Sequence, residues 1–214
     1  MKSPIIFLIG TGIGKDSRGF ESHILDLFDK VKNEVSFEAY LVKGAGSECD
    51  NEIRIANLHR KSFAAKLLGA LFGKNAHVIQ QFTFFLGLIP ALYRLRPTTL
   101  YLGEHGLFNQ LYRWRNFSSM NFRMVFYTGG NTVPLKMGSH DFLQLVTPVM
   151  IPLAKTRGIQ PEQMKIIPHF VNFDKQSGNY QDVKNALRKK LNIRDDQLIL
   201  ISVGALDSSV KRMD

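Results

Sequence analysis

The spacing of hydrophobic positions changes repeatedly along this chain. A continuous apolar run at 4–9 predicts a strand covered on both faces. After a glycine-rich turn, Phe20, Ile24, Leu27, Phe28 and Val31 recur at helical spacing and predict an amphipathic helix. Val35, Phe37, Ala39 and Leu41 alternate, which predicts a second strand over 35–42, and 53–58 is a weaker third. Residues 63–72 and 78–95 read as helices, 98–102 as a β-branched and aromatic strand, and 107–114 as a short helix. Strands follow at 123–128 and 143–147. Pro148 suits the first turn of a helix running to Arg157, with Gly158 as its stop. A short strand at 164–167 closes at Pro168.

Strand and helix alternate throughout, which predicts an α/β fold: a Rossmann-like parallel sheet with helices on both faces. Ligands of such sheets bind at the carboxyl ends of the strands. The loops 10–19, 103–106 and 128–131 each follow a strand and so belong on one edge. Beyond Phe173 the chain becomes polar, with Gly178 inside a linker-like stretch. Val183, Leu187 and Leu191 mark a basic helix, and 198–203 is another strongly apolar strand ending at Gly204. A lone strand cannot form a core of its own. The expected organisation is an amino-terminal Rossmann-like domain at 1–173, a linker and helix at 174–196, and the truncated start of a second Rossmann-like domain at 197–214.

Composition narrows the setting. The 214 residues are 44% hydrophobic and 21% charged, ordinary for a globular protein. Cys49 is the single cysteine, so no internal disulfide forms and a reducing cytoplasm fits. The apolar start is too short for a signal peptide and lacks a cleavage pattern. Gln80, Gln81 and Pro90 interrupt 77–95, which reads as falling short of the roughly 20 apolar residues of a membrane span. Lys and Arg total 28 against 18 Asp and Glu, a formal charge of +10 that attracts anions. No paired zinc ligands or aromatic RNA-binding strand accompany that charge, so nucleic acid is not an expected partner. Phe82-Thr83-Phe84-Phe85-Leu86 reads as the core contact of a buried helix. The basic, apolar stretch 63–74 reads as a packed helix, with a peripheral position on an anionic membrane surface at its inner face as the alternative.

The candidate chemistry is sparse. Gly10, Gly12 and Gly14 lie in a Gly10-Thr11-Gly12-Ile13-Gly14-Lys15 turn. A dinucleotide fingerprint needs a sixth-position glycine where Lys15 stands, and a Walker loop needs a glycine where Ile9 stands and Ser or Thr where Asp16 stands. The glycines still allow something to approach the backbone and the start of the next helix. Gly19 is unusual at a helix start unless a loop or ligand packs closely against it. Glu21 suits the first turn through the helix dipole, and His23 reads as packing. Glu104 and His105 set a carboxylate beside an imidazole at a strand end, where His105 is the candidate base. Gly129, Gly130 and Asn131 form the loop after the next predicted strand. Lys211 and Arg212, after the strand ending at Gly204, make a candidate phosphate clamp. The histidines and Cys49 show no zinc-type spacing, and no Gly-x-Ser-x-Gly elbow occurs.

Taken in order, these segments resemble the retaining family 4 glycosyltransferases of the GT-B fold. The resemblance rests on Arg18-Gly19-Phe20-Glu21-Ser22-His23 after the first strand, on the segment from Asp141 to Pro148, on Lys165-Ile166-Ile167-Pro168-His169-Phe170-Val171-Asn172, and on Ser202-Val203-Gly204-Ala205-Leu206 with Lys211 and Arg212. It implies two Rossmann-like domains facing across a cleft, with a nucleotide-sugar donor on the carboxyl-terminal one and a glycan, lipid-linked or small-molecule acceptor on the amino-terminal one. It implies sugar transfer with retention, no metal and no cofactor beyond the nucleotide sugar. Gly19 would admit donor phosphates or acceptor, and Lys211 with Arg212 would hold the diphosphate. Ala205 stands where the family usually has Arg, and Gly129-Gly130-Asn131 where many members carry a His, a role His105 would take. The family's paired glutamates would fall past Asp214, so the 214-residue chain is expected to be inactive alone. A non-catalytic acceptor-binding or scaffold domain, and a Rossmann oxidoreductase, are the competing readings.

Overall fold

The computed structural model describes residues 3–16, 19–129, 132–168, 180–194 and 197. The strands predicted from apolar runs assemble into one parallel sheet. In chain order they are β1 (Ile5–Gly10), β2 (Glu38–Lys43), β3 (Glu52–Arg54), β4 (Thr99–Leu102), β5 (Arg123–Tyr127), β6 (Phe142–Leu145) and β7 (Met164–Ile166). Across the sheet they run β3-β2-β1-β4-β5-β6-β7. Every pairing is parallel; Leu8, for example, lies between Leu41 and Tyr101. This is an α/β, Rossmann-like fold.

The two faces bury different helices. Phe7, Ile9, Leu100, Leu102, Met124, Phe126, Leu143 and Leu145 share a core with residues of α3 (Ala76–Leu95) and α4 (His105–Phe117). Leu8, Leu41, Tyr101 and Tyr127 share the other with Ile24 and Phe28 of α1 (Gly19–Val31). The chain winds outward from β1 with α1 on one face and outward from β4 with α4 on the other. Right-handed crossovers require that change of face when the winding direction reverses. The reversal lies between β1 and β4, where such sheets open a crevice at the strands' carboxyl ends.

Several elements depart from the pattern. Strand β2 starts at Glu38, not at 35; Val35 is exposed in the turn that ends α1. The segment from Pro148 is a 3₁₀ turn (Pro148–Met150) followed by α5 (Ile151–Thr156), not one helix. Pro152 lacks the N–H that a continuous ladder would need. Gly158 ends it with φ +75°, as a helix stop should. The run at 77–95 is one helix, α3, whose 20 residues are long and apolar enough to cross a membrane by length and composition. Phe84, Leu88 and Leu92 on its inner side are nonetheless fully buried in the core of the sheet. Pro90 sits on its exposed side, where water serves the carbonyl that the proline cannot bond. The aromatic cluster divides: Phe84 and Phe85 are buried, whereas Phe82 and Leu86 are exposed.

Asp141, just before β6, ties that half of the sheet together. Its Oδ1 accepts from Arg115 Nη1 (2.7 Å) and the Met124 N–H (2.9 Å). Its Oδ2 accepts from Arg115 Nη2 (2.8 Å) and the Gly138 N–H (2.7 Å). The carboxylate is fully buried and replaces its lost water with four donors.

The chain divides into two compact units, Met1–Phe170 and Val171–Asp214. The described part of the second is α6 (Tyr180–Lys190), with Asp182 in its first turn and Arg188, Lys189 and Lys190 in its last, matching the helix dipole. Asn192 in the left-handed region (φ 53°) and a bond from Arg188 to the Gln197 carbonyl (2.9 Å) follow its end. The predicted strand at 198–203 lies outside the described residues, as do Gly204, Lys211 and Arg212.

Asp141→Ala strands the Arg115 guanidinium in a low-dielectric site. Urea denaturation is expected to show a loss of about 3–5 kcal/mol.

Candidate functional site

Thr11 follows β1 and Glu104 lies between β4 and α4, so the two meet at the reversal point. The Thr11 N–H donates to Glu104 Oε2 (3.2 Å), and the Thr11 hydroxyl donates to Oε1 (2.5 Å). The Thr11 carbonyl accepts from Asn57 Nδ2 and Gln80 Nε2, each at 3.4 Å. Both Thr11 and Glu104 are buried.

The glycine turn is closed on itself. The Gly12 carbonyl accepts from the N–H groups of Lys15 (3.0 Å) and Asp16 (2.8 Å). Gly14 has φ +87°, and a Cβ there would fall 2.3 Å from the Ala45 carbonyl oxygen. On the neighbouring turn a Cβ at Gly44 would fall 2.2 Å from the Thr11 carbonyl oxygen. Gly14 and Gly44 thus let the turns after β1 and β2 pack backbone against backbone. Lys15 donates to both oxygens of Asn57, at 3.1 and 2.9 Å, and burial lowers its pKa against the opposing pull of Asp16. Asp16 in turn faces Arg60 (3.2 Å) and His59 (3.5 Å). A phosphate arriving here would meet an acid on Thr11 and a second acid beside Lys15.

Beside this turn lies a cleft of about 440 Å³ lined by Phe20, His77, Val78, Gln81, Glu104, His105 and Thr132, with Gly103 and Gly106 in its wall. That volume falls in the usual range of small-molecule sites. Gly103 is essential to its shape: a Cβ would lie 2.3 Å from the Phe20 ring and 2.6 Å from the Tyr127 carbonyl oxygen. At Gly106 a Cβ would overlap Gln81 Oε1, so this glycine seats α4 on α3. Gly19 opens α1, and a Cβ there would meet nothing within 4 Å. No part of the described chain therefore packs closely against it. Glu21, in the same first turn, is buried. Gly129 borders the Tyr127 ring, whereas Gly130 and Asn131 lie outside the described residues.

His105 is the first residue of α4 and is not in a loop. Its pKa is lowered by burial and by the nearby Arg157 charge, while a hydrogen bond to the Val133 backbone acts in the opposite direction. Arg157 also donates to the Val133 carbonyl. Asn109 Nδ2 lies 3.2 Å from His105 Nδ1. The ring is thus held neutral and fixed from two sides.

A buried polar chain runs behind the cleft. His23 stacks on Tyr127 at 4.3 Å, and Phe20 stacks on the same ring at 5.6 Å. His23 Nε2 lies 3.0 Å from the Tyr101 hydroxyl, which donates to Gln144 Oε1 at 3.0 Å. Gln144 Nε2 donates to the Ile167 carbonyl at 3.3 Å. That carbonyl fixes the amide orientation, and with it the direction of every bond: Tyr101 gives its proton to Gln144, so His23 must donate through Nε2–H. Burial raises the Tyr101 pKa and pushes that of Tyr127 up to about 12. His23 has the packing role its sequence position predicts, but its partners Tyr101 and Gln144 carry no signal in the sequence.

A larger hollow, about 830 Å³, opens at the opposite edge, beside Pro4, Thr99 and Arg123 at the strands' amino ends. Its Arg115 is committed to Asp141. The smaller cleft, on the edge where the sheet winding reverses, is the candidate site. Among the described residues no group of His, Cys, Asp and Glu is placed to hold a metal ion.

No family model matches the chain, and no curated protein matches it.

Proton NMR of the histidine ring resonances is expected to give His105 a midpoint below 6.5, moving upward in Arg157→Gln as the repelling charge is removed. Protonation of His105 therefore favours the unfolded chain, so its contribution to stability is complete above 6.5 and falls as the pH drops below it. Gly103→Ala is expected to displace Phe20 and lower the melting temperature, since the opposing Tyr127 carbonyl is backbone and cannot give way.

Proposed function

We propose that the first Rossmann-like unit binds the acceptor in a nucleotide-sugar-dependent, retaining glycosyltransferase of the GT-B type. The observation that carries this reading is the Glu104 carboxylate on Thr11 at the winding reversal, beside a cleft whose other polar groups are imidazoles, an amide and a hydroxyl. Carboxylates and neutral acceptors suit the hydroxyl donors of a sugar; they repel the pyrophosphate that dinucleotide folds place at this point. The helix start is also wrong for a dinucleotide. It opens at Gly19, nine residues after Gly10, so the glycine turn does not lead directly into it.

In this reading Glu104 orients acceptor hydroxyls. His105, neutral near pH 7, lies where it can accept from one once Asn109 releases Nδ1. Phe20 and Val78 give the apolar walls on which a pyranose ring packs. Among the described residues nothing packs against Gly19, which leaves room there for a ligand. The donor would be held by the second unit, with Lys211, Arg212 and Gly204 around its diphosphate and no metal or further cofactor. The acceptor is a glycan, a lipid-linked sugar or a small hydroxylated molecule, and the setting is the cytoplasm.

NMR titration of the 214-residue chain with phosphorylated and neutral glycosides, nucleotide sugars and NADH tests this. Glycosides are expected to shift the amides of Gly103 and His105, and Glu104→Gln, which still accepts from the Thr11 N–H, is expected to weaken binding about tenfold. Labelled-sugar transfer by this chain alone is expected to be absent. Saturable NADH binding at those same amides, or no glycoside binding, would overturn the proposal.

A further inference from the structure

Helix α2 (Phe63–Leu71) is built inside out. Ser62 caps it by accepting from the Ala65 N–H at 3.2 Å, and the side it buries carries Ala65 and Gly69. A Cβ at Gly69 would lie 2.6 Å from the Lys74 carbonyl oxygen, so close packing there demands the small residue. The large side chains point away: Phe63 is 79% exposed, Leu67 56%, Leu71 73% and Phe72, just past the helix, 65%. A surface helix of a water-facing protein has the opposite arrangement. Positions 63, 67 and 71 follow one another at i, i+4, i+8, so they form a single apolar stripe.

The charge around the stripe has one sign. Between Glu52 and Glu104 the chain contains no Asp or Glu, but it does contain Arg54, Arg60, Lys61, Lys66, Lys74, Arg94 and Arg96. Lys61, Lys66 and Lys74 flank the stripe and are exposed. We infer that α2 lies flat on an anionic lipid surface, with Phe63, Leu67, Leu71 and Phe72 in the acyl boundary and these lysines at the headgroups. An apolar face rimmed by cations is the chemistry that such a surface takes. A second copy of the chain fits poorly. Nine residues give a stripe about 13 Å long, small beside the roughly 800 Å² per partner of a stable interface. Two copies would also oppose lysine to lysine with no acid between them.

The inference does not rest on sugar transfer. His77 and Val78 at the start of α3, only a few residues beyond Lys74, line the cleft.

Flotation of the 214-residue chain with phosphatidylcholine vesicles, with and without phosphatidylglycerol, tests this. Binding is expected only with phosphatidylglycerol and is expected to weaken with salt. Phe63→Gln with Leu67→Gln is expected to cut it about tenfold or more, and Lys66→Glu with Lys74→Glu to abolish it. All four positions are exposed, so circular dichroism and melting temperature should be unchanged. Absence of flotation, flotation indifferent to phosphatidylglycerol, or flotation that survives both double variants would overturn the inference. So would a dimer in light scattering that Phe63→Gln dissociates, which would assign the stripe to a second copy.

Discussion

At the point where the winding of a parallel sheet reverses, the helices on its two sides part and leave a crevice with backbone N–H groups turned into it. Something must satisfy those groups. In this protein the chain does so itself, by bringing the Glu104 carboxylate to the Thr11 N–H and hydroxyl across 93 residues of sequence. Much of the site follows from that bond. It joins the ends of β1 and β4, and the residues on either side of Glu104 form the wall of the cleft. It also decides the charge at the reversal point. An anion-binding turn needs its donors unoccupied; here a carboxylate is already on the Thr11 N–H, the Gly10 carbonyl takes that of Ile13, and the Gly12 carbonyl takes those of Lys15 and Asp16.

The fold was largely legible because each of its elements is written in a local pattern. Continuous apolar strands such as β1 signal burial on both faces, and the 3.6-residue spacing of α1 survives intact in the structure. The failures are equally physical. Val35 belongs to an alternating pattern, yet it falls in the turn after α1, where no neighbouring strand pairs with it. Phe82, Phe84, Phe85 and Leu86 are all apolar, and composition cannot tell Phe84, which faces the sheet, from Phe82, which faces out. The helix 77–95 reaches the length of a membrane span while serving as a core layer, because any helix pressed against a parallel sheet must be apolar over much of its circumference.

The site was legible in part. Glu104 and His105 stand out as an acid beside an imidazole at a strand end. Their neighbours Thr11 and Asn109 do not, because a threonine after a strand and an asparagine within a helix are unremarkable until the sheet order places them. The glycines show the same division. Sequence marks Gly14 and Gly19 alike as points of close approach, and the structure separates them. Gly14 is fixed by the Ala45 carbonyl at its back, while among the described residues nothing lies within 4 Å of a Cβ at Gly19. A glycine pressed against the chain's own backbone is explained by folding alone. Packing among the described residues gives no such explanation for Gly19.

The distribution of charge connects the two ends of this reasoning. Between Glu52 and Asp141 the chain carries one acid, and that acid is the buried Glu104. That stretch holds no other carboxylate, and most of its cations are exposed. A formal charge of +10 spread evenly would say little beyond solubility. Concentrated in one stretch of the chain, and combined with a helix that turns Phe63, Leu67 and Leu71 outward, the same charge gives α2 an apolar stripe flanked by lysines. Desolvating an acid costs several kcal/mol, so the retained carboxylate must be compensated where it sits. Thr11 supplies two of its donors, one from its N–H and one from its hydroxyl. The other acids buried among the described residues, Glu21 and Asp141, lie on different elements, and Asp141 shows the same compensation through its four donors.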